Sequence, residues 1–537
     1  MNVLDLTQPA DRNLGRVLLL QARAVGDLPG LLTGEQRYSF AQINARVNRY
    51  AAGLAGLGLG PGDRVSIHLP SCAEFIFLTL AVNKLGAVWV PVNTDYKGAW
   101  LTDTINDSRA TLLITDASLL PRLDGLLEGL RHQGLVVRAA DGVPLPAGAV
   151  RLDEFDRLSD AEPEAVPIHY GDTSAILWTS GTTGKSKGVM VPHNVWIRSG
   201  LNSHKLLGTR PGDVIYNCLP LYNAAAWVAN IYRALLTGVP VALDPAFSPG
   251  RFWDRIRFYG ATETITLGAM HMFLWKQPER PDDADNTLRS AHVIPLPEEL
   301  VAPFKRRFGI ERIERGYGQS EANPIITRVD DGSRQWKPNA MGEVVAGIEV
   351  RMLDDEGREV AAGEVGEFCI KPLEQFVLFN GYFDNPEATA AAYFGQWYRT
   401  GDLGMRDADG DFFFVDRKSD FLRYKGRNVS SLQVESVALK CPGVKEVACF
   451  GIPSEELASE SEIKLDVVLE EGAALEPAQL ARFVNDHAPY FFVPRYIEFV
   501  ESLPYTPTNK LQKYKLRQKG LGERSWDRMK SDFVLER

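Results

Sequence analysis

Ten consecutive residues in the first half of the chain have the side chains that a phosphate-bearing ligand needs. The run TSGTTGKSKG, residues 179–188, contains five hydroxyl side chains, three glycines and two lysines. Glycine lets the backbone approach a phosphate, while N–H groups, hydroxyls and lysines donate hydrogen bonds to its oxygens. The run is not a P-loop of the GxxxxGK[ST] kind, because Thr179 stands where that motif has its first glycine. The alternative is a flexible surface loop with turn chemistry. Apolar flanks on both sides favour phosphate binding.

A second polar cluster could bind a planar ring and a hard cation. Its sequence is GYGQSE, and its members are Gly316, Tyr317, Gly318, Gln319, Ser320 and Glu321. An aromatic ring between two glycines can lie flat against another ring, and a carboxylate four residues later suits Mg²⁺. An ordinary turn followed by a solvated surface charge is the alternative for this cluster alone.

Three further positions carry charges on loops. Asp402, in the run YRTGD, could accept hydrogen bonds from a sugar diol, although taken alone an Asx-type turn is the favoured explanation. Arg417 belongs to a charged run over 416–420 that is either a linker between domains or a nucleotide contact. Lys510 lies on the proline-stiffened loop PYTPTNK, where it is either solvated or presented to an anionic transition state.

The elements that must position these residues alternate between strand and helix, which is typical of parallel sheets. Ser39 and Gln42 form a capping-box pattern before an amphipathic helix that starts at Phe40. In the first α/β unit we expect strands at 64–69, 87–92 and 111–115, a helix at 73–85, and two strands flanking the loop at 179–188. In the second unit we expect strands at 214–218, 239–243, 262–267 and 292–294, with helices at 227–236, 252–259 and 298–308.

The pattern predicts a small barrel or antiparallel sheet from Gly342 to Ile370. A compact α+β unit follows, with strands at 446–451, 464–469 and 496–500 and a helix at 477–487.

The bulk composition excludes several classes of protein. The chain has 537 residues and a net charge of −10, which argues against a general nucleic-acid binder. Its five cysteines form no CxxC pair, so we expect reduced thiols and a cytoplasmic location. No signal peptide and no apolar run of bilayer length are present, while peripheral membrane contact stays open.

In their order and spacing, the five motifs resemble those of the adenylate-forming superfamily. The motifs are TSGTTGKSKG, GYGQSE, YRTGDLG, DRKSDFLRYKGRN and PYTPTNK. The superfamily contains acyl-CoA synthetases, luciferases and the adenylation domains of peptide synthetases. The chain is most similar to acyl-CoA ligases of the crotonobetaine/carnitine-CoA ligase type, from about Ser39 to Leu516. The resemblance implies a large N-terminal domain over 1–417, with two parallel-sheet α/β subdomains and a small β-barrel, and a small mobile α+β domain over 418–537.

The resemblance also implies a reaction and a set of residue roles. A carboxylic acid and ATP give acyl-AMP and pyrophosphate, and CoA then displaces AMP. Lys510, Thr182 and Glu321 would be catalytic, with Glu321 binding Mg²⁺. The ATP contacts would be Thr179, Ser180, Gly181, Thr183, Gly184, Lys187, Gly316, Tyr317, Gly318, Gln319, Ser320, Asp402 and Arg417. The CoA arm would contact Lys425, Gly426 and Arg427. A homodimer is an open expectation, because many members of the superfamily pair.

The acyl pocket is the part of the site that the resemblance predicts least. We expect it at Tyr222, Asn223, Trp227, His271 and Ile294. Where many members have a glycine-rich loop, this chain has the bulkier run over 292–295, and Ser186 and Asn509 also depart from the family motifs. The identity of the acid therefore stays open. Two alternatives to a CoA ligase remain: an adenylation enzyme that uses a carrier protein, and a non-catalytic nucleotide- or acyl-binding relative.

Overall fold

The structure of the protein is a computed structural model. It describes residues 1–537 except 180–185, 269, 330–333, 419, 421, 425–426, 455–460, 506–510 and 536–537. Four further side chains, at positions 10, 423, 427 and 428, also lie outside the description.

The described chain divides into two compact units. Unit 1 comprises Met1–Thr179, Ser186–Glu349 and Lys371–Gln396, and the described part of unit 2 comes from Val350–Ile370 and Trp397–Arg537. The domain boundary at residue 418 that the sequence suggests stays a prediction.

The largest sheet of unit 1 has nine strands, and its six central strands run parallel. In spatial order the strands are Glu343–Val344, Ile326–Val329, Arg312–Tyr317, Ser290–Ile294, Glu263–Leu267, Ile215–Asn217, Val241–Leu243, Pro29–Thr33 and Gln36–Ser39. Ligands of open parallel sheets bind outside the carboxyl ends of the strands, so the residues that follow these strands are candidate ligand contacts.

The second sheet of unit 1 has seven strands and ends in one antiparallel strand. In spatial order they are Val150–Arg151, Gly134–Arg138, Leu112–Asp116, Arg64–His68, Val88–Pro91, Thr173–Thr179 and Lys187–Pro192. The two parallel-sheet subdomains predicted from the strand and helix alternation are therefore confirmed.

The helices of unit 1 cover these sheets. They are Leu14–Val25, Phe40–Gly56, Ala73–Lys84, Gly98–Asp107, His193–Leu207, Ala224–Ala226, Tyr232–Thr237, Phe252–Tyr259, Met270–Trp275, Glu298–Phe308 and Pro386–Ala391. The helix predicted at 227–236 begins instead with a π-helical turn, Trp227–Ile231. Such turns are rare and often occur at functional sites. Among the described residues no helix has both the length and the apolar character needed to cross a bilayer.

Local chemistry explains the predicted helix at Phe40. The Ser39 side chain accepts from the Gln42 backbone N–H at 3.2 Å, and the Gln42 side chain accepts from the Ser39 N–H at 2.9 Å. This reciprocal cap satisfies two amides that helix geometry leaves unpaired. The apolar face then buries Ile43, Val47 and Leu54.

The two faces of the nine-stranded sheet differ, and the difference matters for the site. Ala291 and Val293 belong to an apolar cluster that also contains Phe252, Phe304 and Phe308 of the covering helices. Because side chains alternate along a strand, His292 and its neighbours at 290 and 294 face the opposite side of the sheet.

Unit 2 contains two separate sheets and a hairpin. The first sheet is antiparallel where its pairing is resolved, through Val365–Pro372, Trp397–Arg406 and Phe412–Arg417, and it also includes Ile348–Leu353. Of the two predicted alternatives, these strands form an antiparallel sheet. The second sheet has strands Val444–Pro453, Ser461–Leu469, Tyr496–Phe499 and Trp526–Asp527. The hairpin pairs Leu422–Tyr424 with Arg427–Val429, and the helices are Ser431–Ala438, Pro477–His487 and Lys513–Lys519.

Candidate active site

The hydroxyl- and glycine-rich run joins two antiparallel strands, as the sequence predicted. Thr179 ends one strand and Lys187 begins the next, and the two residues face each other in the register. The Thr179 hydroxyl donates to the Lys187 carbonyl at 3.3 Å. The intervening residues Ser180, Gly181, Thr182, Thr183 and Gly184 lie outside the described residues. The structure therefore fixes both ends of the loop, and the contacts of the loop itself stay predictions.

One tyrosine that the sequence analysis missed connects this loop to the GYGQSE cluster. The Lys187 ammonium lies 4.8 Å from the centre of the Tyr382 ring, which is a cation–π distance. The Tyr382 hydroxyl donates to Glu321 Oε1 at 3.0 Å. The structure thus brings together Lys187 and Glu321, which are far apart in the sequence.

Backbone pairing holds Tyr382 in that position. The Phe383 N–H donates to the Gly188 carbonyl at 2.7 Å, and the Met190 N–H donates to the Gly381 carbonyl at 3.0 Å. This segment therefore adds to the strand that starts at Lys187. The only signal in the sequence is that a glycine precedes Tyr382, as one precedes Tyr317. Gly381 has φ 108°, a conformation that favours glycine.

The GYGQSE cluster begins with the last two residues of the strand Arg312–Tyr317 and continues into the turn beyond it. Gly316 has little space, because an added Cβ would lie 3.3 Å from the Ile326 carbonyl and 3.4 Å from His292 Nε2. A larger residue at this position would have to displace the Ile326 carbonyl slightly and would lie in contact with the imidazole. Tyr317 is half-buried, and the Gln319 N–H donates to the Ala322 carbonyl at 2.8 Å. The turn places Tyr317 at the edge where ligands of parallel sheets bind.

The position of Glu321 fits a magnesium ion that arrives with a phosphate ligand. Its carbonyl accepts from the Phe379 N–H at 2.8 Å, so the backbone of the residue is anchored. Mg²⁺ commonly takes one or two protein carboxylates plus substrate phosphates rather than a complete protein cage. Within the described ranges no group of three acidic, histidine or cysteine side chains forms such a cage. A single carboxylate is the donor set expected for this use, and the role stays a prediction.

Four of the five predicted acyl-pocket residues follow neighbouring parallel strands. Tyr222 and Asn223 come after Ile215–Asn217, His271 comes after Glu263–Leu267, and Ile294 ends its own strand. Leu267 and Ile294 face each other in the register, and the Gly268 N–H donates to the Ile294 carbonyl at 2.8 Å. The carboxyl edge of the sheet therefore gathers these segments.

Two titratable groups at this edge, His271 and Tyr222, are uncharged near neutral pH. Burial lowers the pKa of His271 to about 4, and the backbone of Pro295 hydrogen-bonds to the ring. Burial and the nearby Asp95 charge raise the pKa of Tyr222 to about 12. The edge suits an uncharged portion of a ligand better than a phosphate.

The structure places Trp227 behind the edge rather than on it. Its side chain has no exposed surface, and its indole N–H donates to the Leu221 carbonyl at 2.7 Å. The ring packs against Trp89, with centroids 4.8 Å apart, and against Tyr232 at 5.3 Å. Trp227 therefore supports the loop that carries Tyr222.

Unit 2 brings together two of the predicted nucleotide contacts. Asp402 and Arg417 face each other on neighbouring strands, and their carboxylate and guanidinium lie 3.9 Å apart. The Thr400 hydroxyl accepts from the Asp402 N–H at 3.1 Å, and Gly401 takes φ 73°. The Asp402 carboxylate therefore lies on a paired strand beside Arg417, a position that a diol-binding aspartate could use.

The remaining predicted contacts in unit 2 lie mostly outside the described residues. Lys425, Gly426 and Lys510 belong to this group, and only the backbone of Arg427 is described, paired with Tyr424. The ends of the loop that carries Lys510 are fixed by a bridge between Tyr505 and Leu511 and by the Gln512 N–H, which donates to the Pro504 carbonyl at 2.8 Å.

Two family models match the chain over most of its length. The model described as AMP-binding enzyme matches residues 19–383, and the model described as AMP-binding enzyme C-terminal domain matches residues 433–510. Together they include the loop at 179–188, the GYGQSE cluster, Tyr382 and Lys510.

Individual proteins are similar over nearly the whole chain. A crotonobetaine/carnitine–CoA ligase of Escherichia coli is 32% identical over 90% of this chain and 93% of its own length. The enzyme of that name from Salmonella typhimurium is 31% identical with the same coverage. Among solved structures, an anthranilate CoA ligase in complex with anthranoyl-AMP is 25% identical, with a TM-score of 0.83 over 95% of this chain and 97% of that one. ATP-bound MatB from Rhodopseudomonas palustris is 26% identical, with a TM-score of 0.83 over 95% and 98%.

Proposed function

This chain belongs to the AMP-binding enzyme family, and from that premise we propose that it is an ATP-dependent, AMP-forming acyl-CoA ligase. Its substrates are a carboxylic acid, ATP and CoA. In the first half-reaction the acid attacks ATP to give acyl-AMP and pyrophosphate. In the second half-reaction the CoA thiol displaces AMP and gives the acyl-CoA.

The observation that carries this proposal is the connection from Lys187 through Tyr382 to Glu321. The Lys187 ammonium lies 4.8 Å from the centre of the Tyr382 ring, and the Tyr382 hydroxyl donates to Glu321 at 3.0 Å. A triphosphate needs cationic and amide donors along its oxygens and a cation that offsets its charge. One ligand can therefore contact the loop and Glu321 together. Two independent surface turns would give no reason for Lys187 and Glu321 to contact the same tyrosine.

The roles of the remaining residues are part of the proposal. The loop over 179–187 binds the phosphates of ATP, Tyr317 stacks on adenine, and Asp402 accepts hydrogen bonds from the ribose with Arg417 beside it. Lys510 contacts the acid and the phosphate during adenylation. Lys425, Gly426 and Arg427 contact the CoA arm.

The chemistry explains why these groups are needed. A carboxylate is a poor electrophile, and joining it to AMP makes its carbonyl open to attack by a thiol. Preorganised positive charge at the crowded phosphoryl centre is usually the largest contribution to such catalysis. Magnesium, when bound with ATP, offsets phosphate charge as a Lewis acid. Glu321 would hold it, and Lys510 would supply the second positive charge.

The relatives suggest which acids to test. Two curated relatives are named for crotonobetaine and carnitine, and one solved structure contains anthranoyl-AMP. Both acid types therefore belong in a substrate panel for this chain. The homodimer and the cytoplasmic location stay predictions.

The deciding experiment is acid-dependent exchange of labelled pyrophosphate into ATP. We expect exchange with at least one acid from a panel of betaine, short-chain, long-chain, aromatic and steroid acids. Adding CoA to the same acid should then release AMP and form a thioester. Exchange without thioester formation would favour a carrier-protein acceptor. ATP binding by calorimetry with no exchange for any acid would favour the non-catalytic alternative.

A further inference from the structure

A buried histidine at the predicted acyl edge has no hydrogen-bond partner among the residues that the structure describes. His292 lies on the strand Ser290–Ile294 and is 8% exposed. Neither of its ring nitrogens is paired among the residues that the structure describes. An unpaired buried polar group is destabilising, so each native example requires an explanation.

The imidazole leans towards the carboxyl edge of the sheet. In the strand register His292 faces Glu314, yet the point where a Gly316 Cβ would stand is 3.4 Å from its Nε2 and 3.5 Å from its Cε1. Gly316 is two residues nearer the carboxyl end than Glu314. The Nε2 side of the ring therefore reaches over Gly316, towards the edge where Tyr317 and Ile294 end their strands.

The ring offers one donor and one acceptor. Burial, helped by the positive charge of Arg233, lowers the pKa of His292 to about 4. The ring is therefore neutral at pH 7, with one N–H and one bare nitrogen. His271 at the same edge differs, because the backbone of Pro295 already hydrogen-bonds to it.

We propose that His292 recognises an oxygen-bearing group, a hydroxyl or a carbonyl, on the acyl portion of the carboxylic-acid substrate. The inference rests on the proposed ligase function and names the class of acid that this site selects. A hydroxyl both donates and accepts, and a carbonyl accepts, so either one pairs with a neutral imidazole.

A polar site of this kind selects more strongly than an apolar one. An apolar pocket rejects a missing methylene only weakly, whereas a site built to hydrogen-bond a substrate oxygen strongly rejects the analogue that lacks it. The unpaired nitrogens of His292 would remain unpaired with a plain hydrocarbon acid. The enzyme should therefore prefer the oxygenated member of a matched pair of acids.

The experiment measures pyrophosphate exchange with matched acids that differ in one oxygen function. The pairs are 3-hydroxybutanoate and butanoate, 4-oxopentanoate and pentanoate, and 4-hydroxybenzoate and benzoate. The wild-type kcat/KM should favour the oxygenated member at least about tenfold in the accepted pair. His292→Leu should reduce that ratio by about tenfold or more while the KM for ATP changes little.

Two further variants separate recognition from packing. His292→Gln keeps a donor and an acceptor, so it should keep most of the preference for the oxygenated acid. If the leucine variant fails to fold, the glutamine variant still tests the proposal. His193→Leu is the matched control, because His193 is 1% exposed but its Nδ1 already accepts from the Leu14 N–H at 3.1 Å. The control should lose stability and keep the wild-type ratio.

The outcomes distinguish this inference from the ligase assignment. Exchange with an unchanged ratio in His292→Leu would overturn the inference, since His292 would then be a buried core group. A wild-type preference for hydrocarbon acids, or equal losses for both members of a pair, would overturn it as well. Silence of the wild type across the whole panel would instead count against the proposed ligase function, and this inference would be abandoned with it.

Discussion

Two sides of unit 1 differ in how they present polar groups. The loop side consists of Thr179, Lys187, Tyr382 and Glu321, and its charged groups contact one tyrosine. The acyl side consists of Tyr222, Asn223, His271, His292 and Ile294, and its two histidines are buried and neutral. This difference is consistent with our proposal that the loop side binds ATP and the acyl side selects the acid.

The largest effect on activity should come from Lys510, whose proposed role is in the adenylation step. Lys510→Ala should lower adenylation by about 10²–10³-fold, because one preorganised positive charge is lost from the transition state. Thioester formation from supplied acyl-AMP should change little. Pyrophosphate exchange and a separate assay of the second half-reaction measure the two effects. Lys515→Ala is the control, since Lys515 is exposed on the following helix. Equal damage to both half-reactions would contradict the role of Lys510.

On the loop side, Glu321→Gln removes the carboxylate and keeps the shape. We expect about a 10²-fold loss of exchange activity and a higher Mg²⁺ concentration at half-saturation. A titration of Mg²⁺ at fixed ATP measures both. The exposed Glu299 provides the control as Glu299→Gln. An unchanged Mg²⁺ requirement would remove Glu321 from the metal site.

A smaller effect on the loop side tests the connection between its two motifs. Tyr382→Phe keeps the ring beside Lys187 and deletes the hydrogen bond to Glu321, which should lower exchange about five- to tenfold. Tyr38→Phe deletes a comparable hydroxyl, which donates to Gln36 on the outermost strand, and should leave exchange unchanged. Wild-type activity in Tyr382→Phe would show that the hydroxyl does not position Glu321.

The smallest expected effect is on the free energy of unfolding rather than on activity, and it comes from the buried His193. Burial lowers the pKa of His193 to about 3, while unfolded histidine titrates near 6.5. As the pH falls below about 6.5 the unfolded chain takes up a proton first, so stability present above that pH is lost towards acid. Between pH 7 and 5 the His193→Leu variant should lose about 2 kcal/mol less of its free energy of unfolding than the wild type. Urea unfolding of both proteins at pH 7 and pH 5 measures this difference. Equal losses of unfolding free energy in the wild type and the variant would contradict the prediction.

The sequence predicted much of the fold because the signals are local. The helices Phe252–Tyr259, Glu298–Phe308 and Pro477–His487 have the bounds that apolar periodicity predicts. Strand ends differ by up to three residues, because a strand ends where its neighbour stops pairing. The π-helical turn at Trp227 was not predicted, since no local pattern separates it from an α-helix.

The sequence by itself determined the types of the elements, the order of the five motifs and therefore the family. Those properties depend on residues within one helix, strand or turn, where spacing alone decides which side chains share a face. Only the tertiary structure decided that Tyr382 joins Lys187 to Glu321, that Trp227 lies behind the edge, and that His292 leans over Gly316 with no partner in the described part of the chain. Such contacts depend on which strands become neighbours in a sheet, and strand order is set by the packing of the whole unit rather than by any short stretch of the chain.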